Sequence, residues 1–99
     1  MNRYLTIFLL LSLLLHSILA YSDQKKYYSI DEASRNPESV EILDLDNSGL
    51  QKFPMEILNF KNLKALYINS NFLSELPSEI GTLTKLEELH ISSNYIMDT

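Results

Sequence analysis

The chain has 99 residues and no cysteine. That absence removes disulfides, thiolate metal sites and thiol nucleophiles, and no acylated cysteine can tether the protein to lipid. Exported domains of this size commonly rely on disulfides, so this one must hold itself by packing alone. Basic residues are scarce as well. The eight lysines and arginines of the chain, less Arg3, leave seven against thirteen acidic residues past Ser22, a net charge of −6. An acidic chain with no basic cluster argues against nucleic acid and anionic membrane surfaces as partners. Glycine occurs only at Gly49 and Gly81, each isolated, so no phosphate-cradling loop is present. After residue 22 there is no N-x-Ser/Thr sequon and one histidine, His90.

Long apolar runs are confined to the start. Arg3 gives Met1 to Ser22 a short positive beginning, and Tyr4 to Leu15 is nearly all apolar, broken only by Thr6 and Ser12. Small residues follow at Ser17, Ala20 and Ser22, the outline of a secretory signal peptide over residues 1–22. Cleavage fits after Ala20 or after Ser22, and the second better satisfies the small-x-small rule. A retained anchor wants about 20 apolar residues, and this run is shorter and interrupted by His16 and Ser17. The expected product is secreted or held in the cell envelope, periplasmic or extracellular, without stable membrane insertion. It is one domain of under 80 residues.

Residues 23–39 are polar and read as an N-terminal cap. Ser29 and Glu32 form a capping box, and Asp31 and Glu32 place negative charge in the first turn, where it suits the helix dipole. Asn36-Pro37 ends the helix after about two turns, because the residue before proline avoids helical geometry. Ile30 and Ala33 share a face, with Tyr27 or Tyr28 beside them. A lid over the open end of the following repeats is the expected role.

The remainder repeats every 23 positions. Residues 40–62, 63–85 and 86–99 carry aliphatics in matching places, and Pro54 lands on Pro77 as Asn71 lands on Asn94. L-x-x-L-x-L-x-x-N-x-L within such a period marks a strand-plus-return solenoid. Strand alternation over Ile42–Asp46, Ala65–Asn69 and Glu88–Ser92 turns Leu43, Leu45, Leu66, Ile68, Leu89 and Ile91 inward. The strands should pair in parallel, about 4.8 Å apart. On the return legs Leu50, Phe53, Ile57 and Phe60 should stand over Leu73, Leu76, Ile80 and Leu83, with a short helix or 3₁₀ segment on the convex side. The third unit carries nothing past Thr99, so an isolated chain is expected to be marginal, with Leu86, Leu89 and Ile91 on an unpaired edge that invites self-association.

From Val40 to Ile96 these residues resemble the leucine-rich repeat family, in the variant whose return leg reads L-P-x-x-I-x-x-L. The cysteine-free cap and that leg resemble bacterial exported members. The resemblance implies an α/β solenoid with a short parallel sheet on its concave face, and an asparagine ladder through Asn71 and Asn94. Ser48 departs from that ladder, which predicts that the first turn is the loosest. It also implies that the protein works by binding another protein through the concave face, as a scaffold or adhesion module. The alternative is a truncated fragment with no activity of its own.

Outward strand positions fall in columns: Ile42, Ala65 and Glu88; Asp44, Tyr67 and His90; Asp46, Asn69 and Ser92; Asn47, Ser70 and Ser93. Asp44, Asp46, Tyr67, Asn69, Glu88 and His90 are the candidate contacts, an aromatic anchor in a negative field that favours a basic partner. Asp44 and His90 stand two strands apart, about 9–10 Å, and no third ligand joins them, so no metal site is expected. Ser92, His90 and Asp44 lack an oxyanion hole and a nucleophile turn. No catalytic residue and no cofactor is predicted, and the chain is not read as an enzyme.

Overall fold

The inward aliphatics of three successive units meet in one parallel sheet. The computed structural model describes residues 2–22 and 25–97, without the side chains of 17–22. The cut expected after Ser22 adjoins Asp23 and, like Asp98 and Thr99 of the third unit, lies outside them. In chain order the elements are α1 (Arg3–Ser22), β1 (Lys26–Tyr27), α2 (Ile30–Ala33), β2 (Ile42–Asp44), β3 (Ala65–Tyr67) and β4 (Glu88–His90). Three 3₁₀ segments, Pro37–Ser39, Met55–Asn59 and Ser78–Thr82, lie between them. The strands are ordered β1-β2-β3-β4, all parallel. Leu43 pairs with Leu66 and Leu66 with Leu89, the alignment that the 23-residue period requires.

Beneath the sheet, Val40, Leu43, Ile57, Leu63, Leu66, Ile68 and Leu73 are completely buried, and Phe60 nearly so. Both return legs run as the spacing predicts. Pro54 and Pro77, with φ at −70° in each, stand immediately before the 3₁₀ segments. Their missing N–H is no loss there, since the first turn of such a segment has no internal acceptor for it. Ile57 N–H donates to Pro54 O and Ile80 N–H to Pro77 O, both at 3.1 Å, so the two legs are superposable turns of chain.

The strands are two residues shorter than the alternation suggests. Leu45 N–H still donates to Tyr67 O at 2.7 Å and Asn47 N–H to Asn69 O at 3.1 Å, but the chain is already turning. Asn47, Ser70 and Ser93 all adopt φ near +54°. These residues therefore belong to the turn rather than to the outward face of the strand. A left-handed conformation costs most residues about 1–2 kcal/mol, and asparagine bears it better than serine. Ser70→Asn, which copies the residue that Asn47 already places in this turn, should raise the melting temperature by about 3–6 °C. An unchanged or lower melting temperature in a calorimetric scan would contradict this assignment of strain.

The cap contains more than a helix. Ser29 Oγ accepts the Glu32 N–H at 3.1 Å, one half of the expected capping box, without a return bond from the Glu32 carboxylate among the described residues. The helix is one turn, Ile30–Ala33, rather than two, ending before Asn36-Pro37. Ala33 is buried and Ile30 packs against the core. Ahead of the helix, Lys26 and Tyr27 add a fourth strand beside β2, pairing with Ile42 and Leu43. Tyr27 packs against the core and its hydroxyl meets Ser39 Oγ at 2.6 Å, whereas Tyr28 is exposed. Two residues give too short an alternation for the sequence to announce a strand.

The α1 helix behaves differently. Its apolar side chains from Tyr4 to Leu15 are exposed rather than packed. Among the described residues no helix is long and apolar enough to cross a membrane.

Candidate protein-binding face

Successive rungs are joined by side chains as well as by the sheet. Asn71 is buried, and its Oδ1 accepts the N–H groups of Ser48 and Leu50, both at 3.0 Å. Its Nδ2 lies 3.0 Å from Leu45 O and Ile68 O and 3.1 Å from Asn69 O. One amide thus satisfies the backbone of two consecutive turns, where ladder partners have been lost. Asn94 does the same one rung on, accepting Leu73 N–H at 3.0 Å and donating toward Ile68 O and Ile91 O at 2.8 and 3.0 Å. Each asparagine serves the turn before its own. The Ser48 turn is consequently held by Asn71, with two N–H groups bonded, and is not the loosest of the three as the serine alone implied.

A second ladder runs along the edge of the concave face. Asp46 Oδ1 accepts Asn69 N–H at 2.7 Å, and Asn69 Oδ1 accepts both the N–H and the hydroxyl of Ser92 at 2.8 Å. Asp46 and Asn69 are thereby tied into the frame of the face. The signal for this ladder was in the sequence as a column of short polar residues at 23-residue spacing, but that column reads equally well as ordinary surface.

The centre of the face gathers the remaining candidates. Register brings Lys26, Ile42, Ala65 and Glu88 into one row and Asp44, Tyr67 and His90 into the next. The rings of Tyr67 and His90 stack face to face, with centroids 4.3 Å apart and planes 1° from parallel. Lys26, which the sequence reading did not select, puts its Nζ 3.8 Å from Asp44 Oδ2 and 5.8 Å from the Tyr67 centroid. It also lies 5.2 Å from the centroid of exposed Tyr28. Cation and ring attract through the ring quadrupole, so Lys26 steadies Tyr67 from one side while His90 covers the other. His90 Nε2 sits 3.5 Å from Glu88 Oε1 without a hydrogen bond.

These contacts hold the Tyr67 ring between Lys26 and His90. Chemically the face offers an aromatic-cation strip. No group of three or more metal-ligating side chains exists among the described residues. Asp44, Tyr67 and His90 are brought together across three strands, Glu88 joins them through His90, and Asp46 and Asn69 form the adjoining border.

Comparison with known proteins agrees with this architecture. A family model described as leucine rich repeat matches residues 38–96, more than half of the chain. Among solved structures, a leucine-rich repeat protein of Leptospira interrogans is 33% identical with a TM-score of 0.53, covering 72% of this chain and 24% of that one. The chain thus spans about a quarter of the length of that relative. No curated protein matches it. Members of the family generally serve as protein-interaction modules rather than enzymes. With its 23-residue rungs, its asparagine ladder and its parallel concave sheet, the chain belongs to the leucine-rich repeat family.

Proposed function

We propose that the protein is an exported interaction module that captures a protein partner on the concave sheet, acting as a scaffold or adhesion element in the cell envelope or outside the cell. The observation that carries the reading is the preorganised Tyr67–His90 stack flanked by Lys26, Asp44 and Glu88. Stiff aromatic anchors of this kind dominate binding energies. Support for export comes from α1, whose apolar side chains from Tyr4 to Leu15 are exposed. Tyr67→Ala should weaken capture of a protein partner at least about tenfold, as for an interface hot spot. Titration calorimetry against that partner measures the loss, and far-UV circular dichroism checks that the fold is kept. Equal affinity in a folded variant would remove the concave face from the function.

The far edge of the sheet favours a second reading, self-association. Leu89 is 37% exposed, and the N–H groups of Ile91 and Ser93 have no acceptor among the described residues. An unpaired strand edge of this kind templates pairing with another chain. Sedimentation equilibrium distinguishes the two readings by whether the mass rises with protein concentration.

A further inference from the structure

The negative charges of the concave face are not equally available to a partner. Asp44 faces Lys26 at 3.8 Å. Asp46 accepts from Asn69 N–H through Oδ1 and lies 3.4 Å from Asn69 Nδ2 through Oδ2. Glu88 Oε1 has His90 Nε2 3.5 Å away as its partner among the described residues, and its side chain is 57% exposed. Among the described carboxylates of this face, that of Glu88 is therefore the most exposed.

Beside it stands His90, the last described ring of the aromatic strip. Strand order puts Lys26 on one side of Tyr67 and His90 on the other. One face of the imidazole lies against Tyr67, and the His90 side chain is still 42% exposed, with no second ring on it among the described residues. The result is a partly exposed imidazole, its Nε2 buried, next to an exposed carboxylate, on a chain whose residues past Ser22 carry a net charge of −6.

We propose that this corner is an arginine subsite: the guanidinium of a basic protein partner lies flat on the outer face of His90 and donates hydrogen bonds to the Glu88 carboxylate. The proposal rests on the concave-face reading and names the chemistry of its partner. Guanidinium fits better than ammonium for two reasons. It is planar and weakly hydrated, so it stacks on a ring at little desolvation cost, and its forked donors match a carboxylate. A lysine would satisfy the charge but leave the ring face uncovered.

The test uses the 99-residue chain and two probes, N-acetyl-arginine amide and N-acetyl-lysine amide, followed by the ring-proton resonances of His90. His16 is the other histidine and serves as an internal control. Arginine should shift the His90 resonances saturably and bind at least about threefold more tightly than lysine, leaving His16 unmoved. Glu88→Gln should weaken arginine binding at least about threefold. Glu87→Gln, at an exposed neighbour, should leave it unchanged. Equal binding of the two probes, or no effect of Glu88→Gln, overturns the proposal. So does a shift of His90 with protein concentration alone, which would put a second copy of the chain on that surface. If arginine selectivity fails while Tyr67→Ala still costs affinity for a protein partner, the concave-face reading stands and only the arginine assignment falls.

Discussion

Asn71→Ala is expected to destabilise the fold by at least about 3 kcal/mol. The amide reaches Ser48 N, Leu50 N, Leu45 O, Ile68 O and Asn69 O, all within 3.1 Å. Alanine leaves backbone groups of two turns without partners, and each buried one costs about 1–3 kcal/mol. A repeat domain of this size is stable by only about 4–10 kcal/mol, so the variant should populate unfolded molecules at room temperature. Asn71→Asp separates hydrogen bonding from side-chain volume. Its carboxylate can still accept from Ser48 and Leu50, but it turns an oxygen toward the Leu45, Ile68 and Asn69 carbonyls and should be no less damaging. Asn94→Ala ought to cost less, about 1–2 kcal/mol, because Asn94 is only half-buried. Chemical denaturation of the three variants gives the order directly. If Asn94→Ala proved the most harmful, the ladder would not be organised around the middle rung.

The second large effect concerns the aliphatic column. Leu66 is completely buried between Leu43 and Leu89, its paired neighbours in β2 and β4. Truncation to alanine removes the transfer energy of the side chain and leaves a cavity that rungs on both sides cannot readily fill. The expected loss is about 3–4 kcal/mol. Leu89 occupies the matching place in β4 but is 37% exposed. Leu89→Ala should cost only about 1 kcal/mol, since much of that side chain never left water. Urea midpoints with an unchanged slope measure both. Comparable losses at the two positions would mean that β4 is covered in solution in the way β3 is.

Much of this fold is legible because a solenoid writes its period into the chain. Leu43, Leu66 and Leu89 stand 23 residues apart and pair, and the prolines of the return legs announce the 3₁₀ segments that follow them. The lost details have physical reasons. A two-residue strand has no alternation to read, so β1 is invisible, and with it Lys26, whose side chain reaches Asp44 and Tyr67 only through tertiary pairing. The left-handed turn at Asn47, Ser70 and Ser93 contains no glycine at those places, so nothing local marked the end of each strand. Ser48 misled because the ladder was read residue by turn, whereas each asparagine reaches back to the turn before it. Of the candidate contacts, the columns placed Asp44, Tyr67 and His90 together. The columns could not distinguish Asp46 and Asn69, which brace the face, from Glu88, which is left exposed beside it.

Amide hydrogen exchange tests the stacked-rung account most directly. Leu45 and Asn47 donate to Tyr67 and Asn69, and Ile68 and Ser70 donate to His90 and Ser92, at 2.7 to 3.1 Å. These four amides should be protected well beyond the exposed positions of the return legs, such as Glu56 and Glu79, while the equivalent amides of Ile91 and Ser93 exchange freely. Fast exchange at Leu45 and Ile68 would contradict the parallel 23-residue stacking on which the fold and the binding face both depend.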